Sequence, residues 1–167
     1  YDIYLDLEGD PLVEPSGREY IIGWYHQDEY RIIWAETAEE EKMAFEQFID
    51  FAVEIKTDHP EMHIYHFGAY EPSAFKRLMG KYATRENEMD GFLRSGTFID
   101  LHRVVKNSLR AGVERYSLKD LEKYHGYIRQ MDLRTLSKYK AEYEALLETG
   151  RAVDATEDAR NAIAKYN

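Results

Sequence analysis

The stretch that decides the fold is Tyr1-Asp-Ile-Tyr-Leu-Asp-Leu-Glu-Gly-Asp-Pro11, at the start of the chain. Every second residue from Ile3 to Leu7 is apolar, and this period of two predicts a β-strand with one face in the core. On that strand Asp6 and Glu8 point to the same side, about 7 Å apart at ~3.3 Å per residue. Two such carboxylates repel each other, and a divalent cation such as Mg²⁺ relieves the repulsion because hard cations prefer carboxylate oxygen. An ordinary solvated strand face is the alternative explanation.

The composition describes one globular domain. The chain has 167 residues, of which 44% are apolar, and this is enough for a single core. It has no cysteine, which excludes disulfides, thiolate zinc sites and cysteine nucleophiles. No apolar run approaches the ~20 residues that span a bilayer, and no signal peptide is visible, so we expect a cytoplasmic protein. Because the chain starts with Tyr1 and not with Met, we also expect an excised piece of a longer protein.

The charge is negative overall but unevenly distributed. The net charge is −10, which argues against a domain that grips nucleic acid by itself. Residues 28–61 hold eleven acids against three basic residues, whereas residues 103–129 hold seven basic residues against three acids. The basic segment predicts a surface that contacts phosphate, and a solvated helix face is the alternative. The candidate nucleic-acid-binding residues are Arg103, Lys106, Arg110 and Lys119.

The order of predicted elements implies a single domain with a mixed sheet and helices on its faces. Strands are predicted at residues 3–8, 20–26, 30–35, 62–66 and 97–101, the last of them at the sheet edge. Helices are predicted at 37–57, 72–83, 117–124, 133–148 and from 154 to the end of the chain. The first and last helices begin at apparent capping boxes, Thr37-Ala-Glu-Glu40 and Asp154-Ala-Thr-Glu157. Residues 84–96 are predicted to form a loop or a frayed helix.

A third acid follows the fourth predicted strand, in Tyr65-His-Phe-Gly-Ala-Tyr-Glu71. Proline is favoured at the first helical position, so Pro72 predicts Glu71 as the N-cap of the next helix. That places the Glu71 carboxylate at the carboxyl end of a strand, where α/β folds hold ligands. If this strand lies beside the first one, Asp6, Glu8 and Glu71 converge. The alternative is that Glu71 only caps its helix, a role that Asp, Asn or Ser fills better.

These segments, together with Tyr166-Asn167 at the end of the last helix, resemble the three motifs of DEDD-type 3′–5′ exonucleases. More narrowly, they resemble the YprB-like ribonuclease H-like domain of predicted RecB-family nucleases and of proteins that also carry a helicase. The segments 98–105 and 116–122 fit the same family, so the resemblance covers nearly the whole chain. It implies an α/β, ribonuclease H-like fold, in which a five-stranded mixed sheet is flanked by helices, over residues 1–167.

The resemblance also implies a site with two divalent ions, Mg²⁺ or Mn²⁺, held by four acids. By analogy Asp6 bridges both ions, Glu8 holds the ion that binds the attacking water, and Glu71 replaces the second-motif Asp with a side chain one methylene longer. Tyr166 matches the Tyr of the third motif, which orients the water, although its spacing also suits core packing. The fourth acid of the family falls about four residues after that Tyr, so we expect this domain to be truncated before its last acidic motif.

Two functions are therefore expected. The first is a metal-dependent 3′–5′ exonuclease that hydrolyses phosphodiester bonds at a single-stranded 3′ end of DNA or RNA by a two-metal mechanism, linked to RecB-like or helicase domains. The second is a non-catalytic ribonuclease H-like module for interaction or structure within a larger nucleic-acid-processing protein.

Overall fold

The computed structural model describes residues 1–129 and 131–167. Within them, five strands form one sheet: β1 (Ile3–Asp10), β2 (Arg18–His26), β3 (Glu29–Trp34), β4 (Ile64–His66) and β5 (Phe98–Asp100). They lie in the order β3-β2-β1-β4-β5, so β1 is central and β5 is an edge strand. The pairs β1–β2 and β2–β3 are antiparallel, whereas β4 runs parallel to both β1 and β5. The predicted five-stranded mixed sheet is confirmed.

The described residues also form seven α-helices: α1 (Ala38–Asp58), α2 (Tyr70–Tyr82), α3 (Glu86–Arg94), α4 (Leu101–Ser108), α5 (Leu118–Leu121), α6 (Leu133–Glu148) and α7 (Glu157–Tyr166). The capping box at α1 is present, because the Thr37 side chain accepts from the Glu40 backbone N–H and the Glu40 side chain accepts from the Thr37 backbone N–H. None of the helices in this described part of the chain is long and apolar enough to cross a membrane.

A tight hairpin connects β2 to β3. Its two turn residues, Gln27 and Asp28, have φ angles of 48° and 63°. Two consecutive left-handed residues are the signature of the turn whose twist matches that of the flanking strands. The two strands predicted at residues 20–26 and 30–35 are therefore joined as a hairpin with a loop of two residues.

The sheet has two differently covered faces, because side chains alternate along each strand. On one face, Leu5 and Leu7 of β1 pack into the larger apolar cluster, with residues of α1, α2 and α3. The smaller cluster contains the fully buried Tyr143 of α6 together with residues of α7 and β2. Asp6 and Glu8 alternate with Leu5 and Leu7, so they point to the face opposite the larger cluster.

The structure corrects two predictions around β5. The region predicted as a loop or frayed helix contains the regular helix α3, because Met89 and Phe92 are buried against the larger cluster despite the polar composition. The apolar run of β5 leads directly into α4, a helix that was not predicted from the sequence. Asp100 caps α4 by accepting hydrogen bonds from the backbone N–H groups of His102 and Arg103.

The predicted capping box before the last helix is wrong. Thr156 is the N-cap of α7, and its hydroxyl accepts from the backbone N–H of Ala159. Asp154 instead ends a short 3₁₀ turn, Ala152–Asp154. The helix therefore begins two residues later than the box predicts, because the intervening turn uses the first two residues of the motif.

Replacement of Gly9 by alanine is expected to destabilise the protein. The position that a Cβ atom would occupy is already filled by the Glu19 carboxylate and the Tyr70 hydroxyl. Overpacking of this kind costs about 1–3 kcal/mol. Gly80 in α2 is the matched control, since a Cβ atom added there would meet nothing within 4 Å. Gly80→Ala should raise the free energy of unfolding by about 0.5–1 kcal/mol. Urea unfolding checks both variants, and a Gly9→Ala protein as stable as the wild type would contradict the packing.

Candidate active site

The fold brings Asp6, Glu8 and Glu71 to one region of the sheet. Asp6 and Glu8 lie on the same face of β1, and β4 runs parallel beside that strand. After β4 the chain turns at Gly68, whose φ of 107° is accessible mainly to glycine. It then enters α2, and the first turn of this helix carries Glu71. The parallel pairing of two strands thus joins acids that are more than sixty residues apart.

Glu71 is not the N-cap that Pro72 predicted. The helix begins at Tyr70, and Ala69 occupies the cap position without a side-chain hydrogen bond. Proline is tolerated at the third helical position because backbone N–H groups of the first turn have no partner within the helix. Glu71 is therefore a buried first-turn residue, and its carboxylate is not used for capping.

The three acids interact strongly at Asp6. Burial, followed by the charges of Glu8 and Glu71, raises the pKa of Asp6 from 3.8 to about 7. The backbone N–H of Leu7 and the charge of Lys140 act in the opposite direction but do not compensate. Two nearby negative charges and a low-polarity surrounding both disfavour a third charge. The site therefore holds more negative charge than its own side chains neutralise.

Glu71 adds an unsatisfied oxygen to this site. The residue is 4% exposed, and its Oε2 atom has no hydrogen-bond partner. The Nδ1 atom of His66 lies 3.5 Å from that oxygen, but it is only 2.6 Å from the carbonyl oxygen of Gly68. Because a carbonyl oxygen only accepts hydrogen bonds, Nδ1 of His66 carries the proton and donates a hydrogen bond to the Gly68 carbonyl oxygen. The Glu71 oxygen is free to bind a ligand, although it is not unique in this respect, because Oδ2 of the buried Asp10 also has no partner.

Glu8, in contrast, has a cationic partner that no sequence pattern predicted. The Nζ atom of Lys140, on α6, lies 2.6 Å from Oε2 of Glu8. Burial works against the charged form of Lys140, but the charge and hydrogen bond of Glu8, together with Glu144 and Tyr166, more than compensate and raise the pKa of the ammonium group. The two residues are 132 positions apart in the sequence, so no local pattern connects them.

The donor set suits a divalent cation, although it is not arranged as a finished metal centre. Among the residues that the structure describes, no three His, Asp or Glu side chains are grouped closely enough to hold a metal ion. The chemistry nevertheless fits, because all three candidate ligands are hard carboxylate oxygens and one of them is buried without a partner. Asp6, Glu8 and Glu71 therefore stay the predicted ligands of Mg²⁺ or Mn²⁺.

A cavity of about 800 Å³ opens beside Asp6. Its described lining combines cationic, aromatic and acidic side chains, including Phe67, Arg115, Lys119, Arg129 and Tyr166. A volume of this size is typical of small-molecule and nucleotide pockets. The cationic side chains thus share the cavity wall with Asp6, whereas Glu8 and Glu71 are not among its described lining residues.

Tyr166 lies in the wall of this cavity. Its ring is 5.6 Å from the guanidinium of Arg129 and 5.9 Å from the ammonium of Lys119, both distances typical of cation–π contacts. Ala162 and Ile163, which precede Tyr166 on the apolar face of α7, are buried in the protein. Tyr166 is only partly buried, so it continues the apolar stripe of α7 and also faces the cavity. Its role in orienting water stays a prediction.

The four predicted nucleic-acid contacts are separated by the fold. Lys119 lines the cavity, together with Arg115 and Arg129, which were not among the predicted contacts. Arg129 is held there by Glu122 through two hydrogen bonds of 2.9 and 2.7 Å. The other three predicted residues, Arg103, Lys106 and Arg110, are exposed on or just after α4, outside the described lining of this cavity.

Fold and site together define an α/β protein with an acidic centre on its middle strand, facing a cavity with cationic walls. A family model described as the RNase H superfamily matches residues 3–167. The chain belongs to this superfamily, which confirms the expected ribonuclease H-like fold and supports a nuclease-type domain in general. A comparison with curated proteins found no match.

Removal of the charge at Asp6 is expected to stabilise the metal-free protein. Since the folded pKa is raised to about 7 from 3.8, ionisation of Asp6 weakens the fold progressively as the pH rises between these values. Asp6→Asn should therefore raise the free energy of unfolding by about 1–3 kcal/mol at pH 8 and by almost nothing near pH 3.5. Asparagine keeps the oxygen that accepts from the Leu7 backbone N–H.

Chemical unfolding of both proteins across this pH range, with a chelator present, checks the difference. Asp90→Asn on the exposed surface of α3 is the control, and its effect should stay within about 0.5 kcal/mol at each pH. A destabilised Asp6→Asn protein at pH 8 would contradict the proposed repulsion.

Proposed function

We propose that this domain is a metal-dependent 3′–5′ exonuclease of the DEDD type, close to the YprB-like group, acting on single-stranded DNA or RNA. The observation that carries the proposal is the cavity beside Asp6, because Asp6, whose pKa is raised by burial and by the charges of Glu8 and Glu71, lies in the same wall as cationic side chains. Phosphodiester hydrolysis uses both features. The acidic side chains assist attack at phosphorus, and the cationic side chains bind the neighbouring phosphates.

Asp6, Glu8 and Glu71 are the proposed ligands of two Mg²⁺ or Mn²⁺ ions. Such ions lower the pKa of an attacking water and stabilise charge on the leaving oxygen. The fourth acid of the DEDD pattern is proposed to follow Tyr166 in the longer protein. The excess negative charge at this site explains how an acidic domain can bind a polyanion, since bound cations invert the local potential.

The remaining side chains of the cavity have distinct proposed roles. Arg115, Lys119 and Arg129 bind phosphate groups, and the Glu122 carboxylate fixes the direction of the Arg129 guanidinium. The hydroxyl of Tyr166 orients the attacking water. These groups position the end of the strand, while the acids provide the reactive centre.

A row of tyrosines on the same face of the sheet supports a single-stranded substrate. Tyr4 pairs with Tyr25 on β2 and with Tyr65 on β4, and Tyr25 pairs with Tyr30 on β3. Tyr4 is half exposed and lies two residues before Asp6, therefore on the same face. Burial and the charges of Asp6 and Glu8 raise the pKa of Tyr30 to about 12, so its hydroxyl stays protonated. Exposed aromatic rings stack unpaired bases without sequence preference.

A non-catalytic module is the second candidate, and one observation favours it. The ion pair between Lys140 and Glu8 neutralises one of the three acids without any metal. Either function is compatible with a larger protein that contains RecB-like or helicase domains, which we also propose. Nuclease activity separates the two candidates.

A version of the chain that continues past Asn167 should degrade labelled single-stranded DNA from its 3′ end in the presence of Mn²⁺ or Mg²⁺. Asp6→Asn should lower the rate by about 10³-fold or more, because it removes a charge from the proposed metal ligands. Asp90→Asn should keep wild-type activity. Equal degradation by the Asp6→Asn protein would end the nuclease assignment, and inactivity of the longer wild-type chain with both metals would favour the module.

The cavity also predicts which basic residues bind the substrate. Lys119→Ala should weaken the binding of a short oligothymidylate about three- to tenfold at low salt and reduce the salt dependence of binding, since one phosphate contact is lost. Lys106→Ala, on the exposed face of α4, should change the affinity less than about twofold. Fluorescence anisotropy at several salt concentrations measures both variants. A larger loss at Lys106 than at Lys119 would place the nucleic acid outside the cavity.

A further inference from the structure

The ammonium group of Lys140 occupies the position where a cation would meet Glu8. Its Nζ atom is 2.6 Å from Oε2 of Glu8, and the Glu8 side chain is only 6% exposed. Lys140 also lies close enough to Asp6 to lower the pKa of that carboxyl group. One ammonium and one divalent ion together neutralise the three carboxylates of the site. With Lys140 in place, the acidic centre therefore has the charge to hold one divalent ion, not two.

The same ammonium has a second carboxylate within reach. Glu144 lies one helical turn further along α6, and its Oε1 atom is 3.6 Å from Nζ of Lys140. The Tyr20 hydroxyl donates a hydrogen bond of 3.1 Å to that oxygen and so holds the Glu144 side chain in position. The Glu144 side chain is 24% exposed, compared with 6% for Glu8. A short side-chain movement therefore transfers the ammonium from a buried partner to a more exposed one without loss of ion pairing.

We propose that Lys140 is an internal cation that competes with a divalent metal ion for Glu8, and that Glu144 receives its ammonium group when the metal binds. This inference rests on the proposed function, because it concerns the same acidic centre. It makes Lys140 a regulatory residue that sets the metal concentration at which a divalent ion binds the Glu8 carboxylate. It also explains why Glu8 is satisfied in this structure while the Glu71 oxygen is not.

Mn²⁺ titration by calorimetry tests the proposal on the present chain. Lys140→Met should bind Mn²⁺ about tenfold more tightly than the wild type, because the competing charge is gone. Glu144→Gln should bind it more weakly, about threefold or more, because the ammonium loses its alternative partner. Lys140→Arg should bind no more tightly than the wild type, since the charge is retained.

Matched controls come from the same helix. Lys138→Met and Glu142→Gln change exposed residues of α6 and should leave the Mn²⁺ affinity unchanged. Lys140→Gln repeats the test without adding an apolar side chain, and thermal melts in chelator establish that each variant is folded. A second readout is the rise in melting temperature on addition of Mn²⁺, which should be largest for the Lys140→Met and Lys140→Gln proteins.

The outcomes separate this inference from the proposed function. If the wild type binds Mn²⁺, Asp6→Asn does not, and Lys140→Met matches the wild type, competition by Lys140 is refuted and the metal site stands. If neither the wild type nor Lys140→Met binds millimolar Mn²⁺, both the inference and the metal site are refuted. Tighter binding by Lys140→Met together with weaker binding by Glu144→Gln supports the switch.

Discussion

The repulsion among three carboxylates, of which Glu8 and Glu71 are buried and Asp6 is half-buried, is the constraint on which the site depends. The alternating pattern of β1 fixes Asp6 and Glu8 on one face, and the parallel pairing of β4 brings Glu71 beside them. Because the larger apolar cluster on the opposite face anchors β1, the strand cannot shift to relieve the repulsion. The raised pKa of Asp6, the unpartnered oxygen of Glu71 and the ion pair of Lys140 are all consequences of this arrangement.

Two other buried acids of the same protein, Glu41 and Glu19, have well-matched partners. Glu41 is fully buried, yet it accepts hydrogen bonds from Lys81, from the Tyr82 hydroxyl and from the backbone N–H of Glu19. Glu19 is in turn paired with an arginine and a tyrosine of α2. The fold therefore satisfies these two carboxylates, whereas Oδ2 of the buried Asp10 and Oε2 of Glu71 have no partner. The under-neutralised charge around Asp6 supports the proposed ligand at that position.

The sequence predicted those features that depend on local patterns. The alternation of apolar and polar residues predicted the long strands, and the capping box at Thr37 predicted the start of α1. The spacing of Asp6 and Glu8 predicted that both carboxylates lie on one face of β1. Prediction failed where tertiary contacts determine the structure. The segment of α3 has a polar composition, and it is helical because Met89 and Phe92 pack into the core. The pairing of Lys140 with Glu8 needs two elements that only the tertiary fold brings together. The YprB-like assignment and the role of each acid came from family resemblance, and they stay predictions.

The ion pair between Lys140 and Glu8 is compatible both with a metal-dependent nuclease and with a non-catalytic module, and the surroundings of the pair distinguish these two functions. A pair that serves only stability needs a single, well-fixed geometry with every donor and acceptor satisfied, because desolvation of both charges is costly. Lys140 is instead about one-third exposed, and a second carboxylate lies on its own helix at the distance of a small movement. An ammonium with two available partners forms a two-position element that a metal ion can bias. This geometry favours a site that exchanges cations over one that has permanently replaced its metal with lysine.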